Sequence, residues 1–341
     1  LLKDETIHWD AVEQLVRSEL GLASEVGEMK VRPFTSGYSN LTYIIQIGQW
    51  EGVLRRPPFG QLPKKAHDME REYKILSSIH PVYPKAPEPL LYVDDAEVMD
   101  KHFYIMELKK GVVLDEDIPA KWQNDETKKL ISETFIKELA ALHSIDIYKH
   151  GLDQLGKTEG FLERQVHGWI KRYHQSKTED WAFVSELEDW LIDHVLLSSE
   201  ATIVHNDFKL NNLMFQEDNP NLITAVFDWE MSTVGDPLLD LGVSLAYWTE
   251  AGEAETGLTA VTNQSGFLTR KELAAIYAKE TGRDLENIDY YISFAFYKIA
   301  VILQQIYARY KRGEVKDERF ANLHIGIGNL MQQAWDTAGG K

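Results

Sequence analysis

Asp207 and Asn212 are the residues of this chain whose types and spacing first suggest chemistry. They sit in Ile203-Val204-His205-Asn206-Asp207-Phe208-Lys209-Leu210-Asn211-Asn212-Leu213-Met214-Phe215, where apolar pieces bracket a short polar turn. A carboxylate followed five residues later by an amide puts two kinds of oxygen on one loop. Phosphoryl transfer asks little covalent help of a protein. It needs an acceptor hydroxyl aimed in line, a carboxylate to take its proton, and metal ions to neutralise the phosphate charge. Taken by itself, the same stretch also serves as a polar turn in which His205 and Asp207 hydrogen-bond the backbone.

A second element narrows that choice. Sixteen residues beyond Asn212, the apolar run Ala225-Val226-Phe227 delivers Asp228 at its end, followed by Trp229-Glu230. The turn-forming stretch Asp218-Asn219-Pro220-Asn221 lies between and would fold one strand back on the other. Such a hairpin would bring Asn212 and Asp228 to one end, as oxygen ligands for one or two Mg²⁺ ions.

Phosphates also need a cradle. Phe34-Thr35-Ser36-Gly37-Tyr38-Ser39-Asn40 is rich in small residues, so Ser36, Gly37, Ser39 and Asn40 are candidates for backbone approach to a nucleotide. In the next strand candidate, Arg55 and Arg56 must point to opposite faces. Arg55 shares its face with Val53 and is the one expected to enter a cleft, its planar fork suiting phosphate oxygens.

These groups must be positioned by two unlike halves. Leu41 to Ile47 and Val53 to Arg55 read as a hairpin across Gly48 to Gly52, and Leu90 to Val93 and Phe103 to Met106 as further strands. Helical spacing covers Asp10 to Leu20, with Asp10 as its N-cap, and Ala66 to Ile79, with Met69, Tyr73 and Leu76 on one face. After Gly111 helices dominate, at Thr127 to His143, Phe161 to Tyr173, Trp181 to Leu197 and about four more beyond Leu238. Short strands near 201–204, 213–216 and 223–227 interrupt them.

Composition sets bounds. A length of 341 residues with 44% hydrophobic content supports a sizeable core. A formal charge of −18 disfavours nucleic acid or an anionic membrane as partner. With no Cys, disulfides and thiolate metal sites are excluded, in keeping with a cytoplasmic location. No apolar run reaches the length of a membrane span, and the first residues lack a secretory pattern.

The sequence resembles the aminoglycoside phosphotransferase and choline kinase family, part of the protein-kinase-like superfamily. The resemblance rests on His205-Asn206-Asp207 with Asn212, on Asp228-Trp229-Glu230, and on Gly235-Asp236-Pro237-Leu238-Leu239-Asp240-Leu241. It implies an α+β, bilobal protein-kinase-like fold: a small N-terminal lobe (1–108) with an antiparallel sheet and a larger, mainly helical lobe (109–341). It further implies ATP- and Mg²⁺-dependent phosphorylation of a small-molecule alcohol. In that reading Asp207 is the catalytic base, Asn212 and Asp228 hold magnesium, and Lys209 steadies the transferred group. Arg55 stands where Lys is usual, and Glu72, rather than Glu70, is its helix partner. Met106-Glu107-Leu108 looks like the linker between lobes, where backbone groups meet adenine. His143 and Asp240 read as structural, and Asn206, where Gly is common, is expected to turn its side chain outward. Arg55-Arg56-Pro57-Pro58 resembles a subgroup related to the kinase-like domain attached to some acyl-CoA dehydrogenases. The alternatives are a pseudokinase-like nucleotide-binding protein, to which Arg55 points, and an aminoglycoside resistance kinase, to which the acidic charge points.

Overall fold

A computed structural model describes residues 7–34, 40–58, 68–198 and 200–340. The chain divides into two compact units, Leu1–Gly111 with Thr224–Glu230, and Val112–Ile223 with Met231–Lys341.

In the first unit the elements are α1 (Trp9–Glu19), β1 (Lys30–Phe34), β2 (Leu41–Ile47), β3 (Trp50–Arg56), α2 (Met69–Ile79), β4 (Pro89–Val93) and β5 (Phe103–Glu107). The five strands form one antiparallel sheet in the order β1-β2-β3-β5-β4. Side chains alternate across it. Ile45, Ile47, Leu54, Phe103 and Ile105 are buried with Val12 and Val16 of α1. Arg56 shares the parity of Leu54, is fully buried, and pairs with Asp100 at 3.1 Å. Arg55 therefore points the other way, to the face where the Tyr73 ring of α2 lies 6.3 Å from that of Tyr104.

Two expected details differ. α1 begins at Trp9 behind His8, so Asp10 lies inside the first turn, where an acid favours the helix dipole. In α2 the cap is Asp68, which accepts from the Arg71 amide at 3.0 Å. Its buried face is Met69, Glu72, Ile75, Leu76 and Ile79, with Tyr73 only half-buried.

The second unit holds β6 (Val112–Val113), α3 (Asp125–Leu142), α4 (Phe161–Ser176), α5 (Val184–Asp193), β7 (Thr202–Val204), β8 (Leu213–Gln216), most of β9 (Asn219–Val226) and β10 (Thr233–Gly235). Then come α6 (Pro237–Tyr247), α7 (Arg270–Thr281), α8 (Ile288–Lys311) and α9 (Leu323–Thr337). Small sheets run β6-β8-β9 and β10-β7. α8 is buried along most of its length and packs on α4, α6 and α9. Gly242 lets α6 approach it closely, since a Cβ there would meet the Tyr291 carbonyl oxygen at 2.7 Å. α6 starts sharply, with Asp236 accepting from the Leu238 amide at 2.8 Å and Pro237 at the first helical position. Among the described residues, no helix is long and apolar enough to cross a membrane.

Candidate active site

In the first unit the chemistry gathers around Arg55. Its Nη1 lies 3.1 Å from Glu72 Oε1, and its Nη2 donates to Asp228 Oδ1 at 3.1 Å. Burial opposes the Arg55 charge, but Glu72, Tyr104, Asp228 and Glu230 outweigh it and hold the guanidinium more firmly protonated than usual. Burial pushes the Glu72 carboxyl up to about 7, against the pull of Arg55 and with the push of Asp228 and Glu230. One cation thus faces several anions.

Asp228 reaches this place through local geometry. The Val226 amide donates to the Lys85 carbonyl at 2.8 Å. Trp229, 1% exposed, donates from Nε1 to the Val226 carbonyl at 2.8 Å and packs edge-on against Tyr83. Between these anchors Asp228 adopts φ +64°, a left-handed conformation that Asp and Asn tolerate better than most residues. Glu230 accepts from Asn40 Nδ2 at 3.4 Å, and its carbonyl accepts from Arg71.

In the second unit the Asp207 loop is fixed from several sides. Asp240 accepts from the amides of His205 at 2.6 Å and Asn206 at 2.7 Å. His143 Nε2 donates to Asp240 at 3.0 Å, and its Nδ1 accepts from the Tyr277 hydroxyl at 2.7 Å. Burial alone would raise the Asp240 pKa, but the hydrogen bond from His143 and the contacts of His205 hold it below the ordinary range. His143 and Asp240 are wholly or almost wholly buried, as structural anchors are.

The expected outward side chain of Asn206 is corrected here. Asn206 has φ +66°, is 7% exposed, and donates from Nδ2 to the Met231 carbonyl at 3.1 Å. The positive φ explains why Gly suits this position, and the inward bond offsets the strain of a larger residue.

Asp207 itself is met by its neighbours. Asn212 Nδ2 donates to the Asp207 carbonyl at 2.8 Å and to Oδ2 at 2.9 Å. Lys209 Nζ lies 3.1 Å from the same Oδ2 and 4.8 Å from the centre of the Tyr247 ring. With its nitrogen committed to Asp207, Asn212 can offer only Oδ1 to a metal. Among the described residues, no cluster of three or more His, Cys, Asp or Glu could hold a metal ion.

Of the cradle residues, Ser36, Gly37 and Ser39 lie outside the described residues, while Asn40 holds Glu230. Met106 and Glu107 close β5, and Leu108 follows them shortly before the first unit ends at Gly111. Met106 pairs with Val53, and the Glu107 amide donates to the Glu88 carbonyl at 2.8 Å. That amide is already engaged within the sheet. Sequence reasoning missed Lys298, which is 1% exposed on α8 and donates to the Asn206 carbonyl at 3.1 Å. Burial brings its pKa down to about 8, although Asp240 and Asp207 pull it back up. A charged residue amid the apolar stretch Ile292 to Val301 was the available signal.

The phosphotransferase enzyme family model matches residues 30–274. Acyl-CoA dehydrogenase family member 11 of Rattus norvegicus is 35% identical over 296 residues, covering 85% of this chain and 38% of that protein. Acyl-CoA dehydrogenase family member 10 of Mus musculus is 30% identical, covering 98% of this chain and 32% of that protein. The chain therefore spans well under half the length of these relatives. Among solved structures, one assigned as an aminoglycoside phosphotransferase of Ralstonia eutropha JMP134 is 27% identical, with a TM-score of 0.81 over 97% of this chain and 98% of the other. Choline kinase of Cryptosporidium parvum Iowa II is 13% identical, with a TM-score of 0.65 over 96% of this chain and 95% of its own, and shares the fold alone. The expected kinase-like fold and the kinship with acyl-CoA-dehydrogenase-linked chains are both met, and the chain belongs to the phosphotransferase enzyme family.

Proposed function

We propose that this chain transfers the γ-phosphoryl group of ATP to a hydroxyl of a small molecule, with Mg²⁺ as its metal. The observation that carries the reading is Arg55, held at 3.1 Å by both Glu72 and Asp228. A half-buried guanidinium steered by one acid and touching a second is built to meet oxyanions, and its fork matches phosphate oxygens.

Each side chain then has a task. Asp207 accepts the proton of the acceptor hydroxyl as that oxygen bonds to the γ-phosphorus and the bond to the leaving ADP oxygen breaks. Asn212 orients the Asp207 carboxylate through the 2.9 Å bond to Oδ2. Lys209, beside the same oxygen, counters the negative charge gathering at the transferred group. Arg55, aligned by Glu72, meets the α- and β-phosphates. Asn212 Oδ1 and the Asp228 carboxylate would hold magnesium, which supplies neutralisation of the phosphate charge.

A second reading, nucleotide binding without transfer, is favoured by one feature, Arg55 in the place of Lys. Both are tested by following ADP release from Mg·ATP across a panel of alcohols. Transfer predicts acceptor-dependent ADP release. Stabilisation by an ATP analogue with no release for any acceptor supports the second reading.

A further inference from the structure

A cavity of about 50 Å³ lies in the second unit beside the Asp207 loop. Its walls include Lys209 and Asn211 of the loop, Ser244 of α6, Phe135 of α3, Trp248, and residues 258–262. Among the described residues, two buried polar atoms on these walls have no partner, Asn211 Oδ1 and Ser244 Oγ. Such atoms cost stability when left unpaired in a dry place, so a pair of them on one cavity calls for an occupant.

The character of the occupant follows from how each atom is fixed. Asn211 Nδ2 donates to Asp115 Oδ1 at 3.1 Å. Flipping the amide would set its oxygen against a carboxylate, so Oδ1 stays turned away from Asp115 as an acceptor wanting a donor. A carboxylate or phosphate would confront lone pairs on both Asn211 and Asp115. A cation would meet Lys209. The group that fits is neutral and offers O–H or N–H. Ser244, fully buried, can either donate to it or accept from it. The rings of Phe135 and Trp248, 4.9 Å apart, provide an apolar wall for its carbon stem.

We infer that the acceptor carries, besides the hydroxyl it presents to Asp207, a second neutral hydrogen-bond donor, a hydroxyl or amide N–H, that seats between Asn211 and Ser244. The link to Asp207 runs through Lys209, which lines the cavity and lies 3.1 Å from the Asp207 carboxylate. Calling the occupant an acceptor rests on the kinase reading. The donor-seeking site itself does not.

The test compares 1,3-butanediol with 1-butanol as probes, by saturation-transfer NMR on the intact chain and on Ser244→Ala. The diol is expected to bind the parent more tightly than the mono-alcohol. Ser244→Ala is expected to weaken the diol by about 5- to 100-fold, the range for one hydrogen bond to a buried partner, and to leave 1-butanol unchanged. The same variant removes an unsatisfied hydroxyl, so the melting temperature of the ligand-free protein should hold or rise. A fall in melting temperature would mean the hydroxyl already has a fixed partner, such as an ordered water, and would overturn the inference. Equal binding of the two probes by the parent would overturn it without reference to any variant. ADP release from Mg·ATP separates the layers. Preferential diol binding with no release from any alcohol of the panel defeats the kinase reading and leaves the site standing, whereas release as fast with 1-butanol as with the diol defeats the site alone.

Discussion

Lys298 donates from Nζ to the main-chain carbonyl of Asn206 at 3.1 Å, across 92 positions of sequence. Asn206 is thereby held from three sides: its amide donates to Asp240, its side-chain Nδ2 to the Met231 carbonyl, and its carbonyl accepts from Lys298. The same peptide plane ends in the Asp207 amide, which donates to His205 Nδ1 at 3.3 Å. A left-handed residue persists where its surroundings over-determine it, and here they set the backbone that carries Asp207.

Replacing Lys298 by Met leaves the buried Asn206 carbonyl without its donor and should cost about 1–3 kcal/mol of folding stability. Turnover should fall by about 10²-fold, the cost of misplacing a reacting group by roughly 1 Å. Charged groups facing Lys298 are Asp240, Asp207 and Arg172. Its folded pKa of about 8 lies below the unfolded value near 10.5. Stability from this group is therefore present above the unfolded value and is lost as pH falls toward 8. Transfer should move the opposite way, declining as pH rises through 8. Stability and turnover curves for parent and Lys298→Met check both signs, and the variant should show neither limb.

At Asn206, Gly and Ala should separate strain from bonding. Both substitutions lose the bond to Met231, but only Ala keeps the left-handed penalty of about 1–2 kcal/mol. Thermal or denaturant unfolding should therefore find Asn206→Ala less stable than Asn206→Gly by about that amount.

The Arg55–Glu72 pair should behave as a buried ion pair. Arg55→Met leaves Glu72 without its cation and should cost about 3–5 kcal/mol, while removing both charges in Arg55→Met with Glu72→Gln should recover most of it. Glu72 also predicts a pH signature. Its folded pKa of about 7 is above the ordinary carboxyl value of 4.5, so its stability contribution is full below 4.5 and is lost as pH rises through 7. Glu72→Gln should flatten that part of the stability curve. A parent curve with no slope difference from the variant would contradict the assignment.

What could be read in the sequence was local. The β-branched run at Leu41 to Ile47 and the period-two rule at Arg55 and Arg56 are properties of neighbouring residues, and they led to β2, β3 and the correct parting of the two guanidinium groups. The pairing of Met106 with Val53 and the bond from the Glu107 amide to Glu88 depend on distant partners, which no local pattern reveals. The inward side chain of Asn206 escapes local reading for a similar reason. Its φ and its bond to Met231 arise from tertiary placement. Lys298 and Ser244 show the same limit: their partners, or the lack of them, exist only once the chain has folded.

The most direct measurement is calorimetric titration of a non-hydrolysable ATP analogue, with and without Mg²⁺, into the parent, Asp228→Asn and Asp207→Ala, paired with ADP release from Mg·ATP. The account predicts Mg²⁺-dependent binding by the parent, loss of that dependence in Asp228→Asn, and in Asp207→Ala retained binding with turnover lowered by about 10²- to 10⁴-fold. Metal-independent binding by the parent, or Asp207→Ala turning over as fast as the parent, would contradict it.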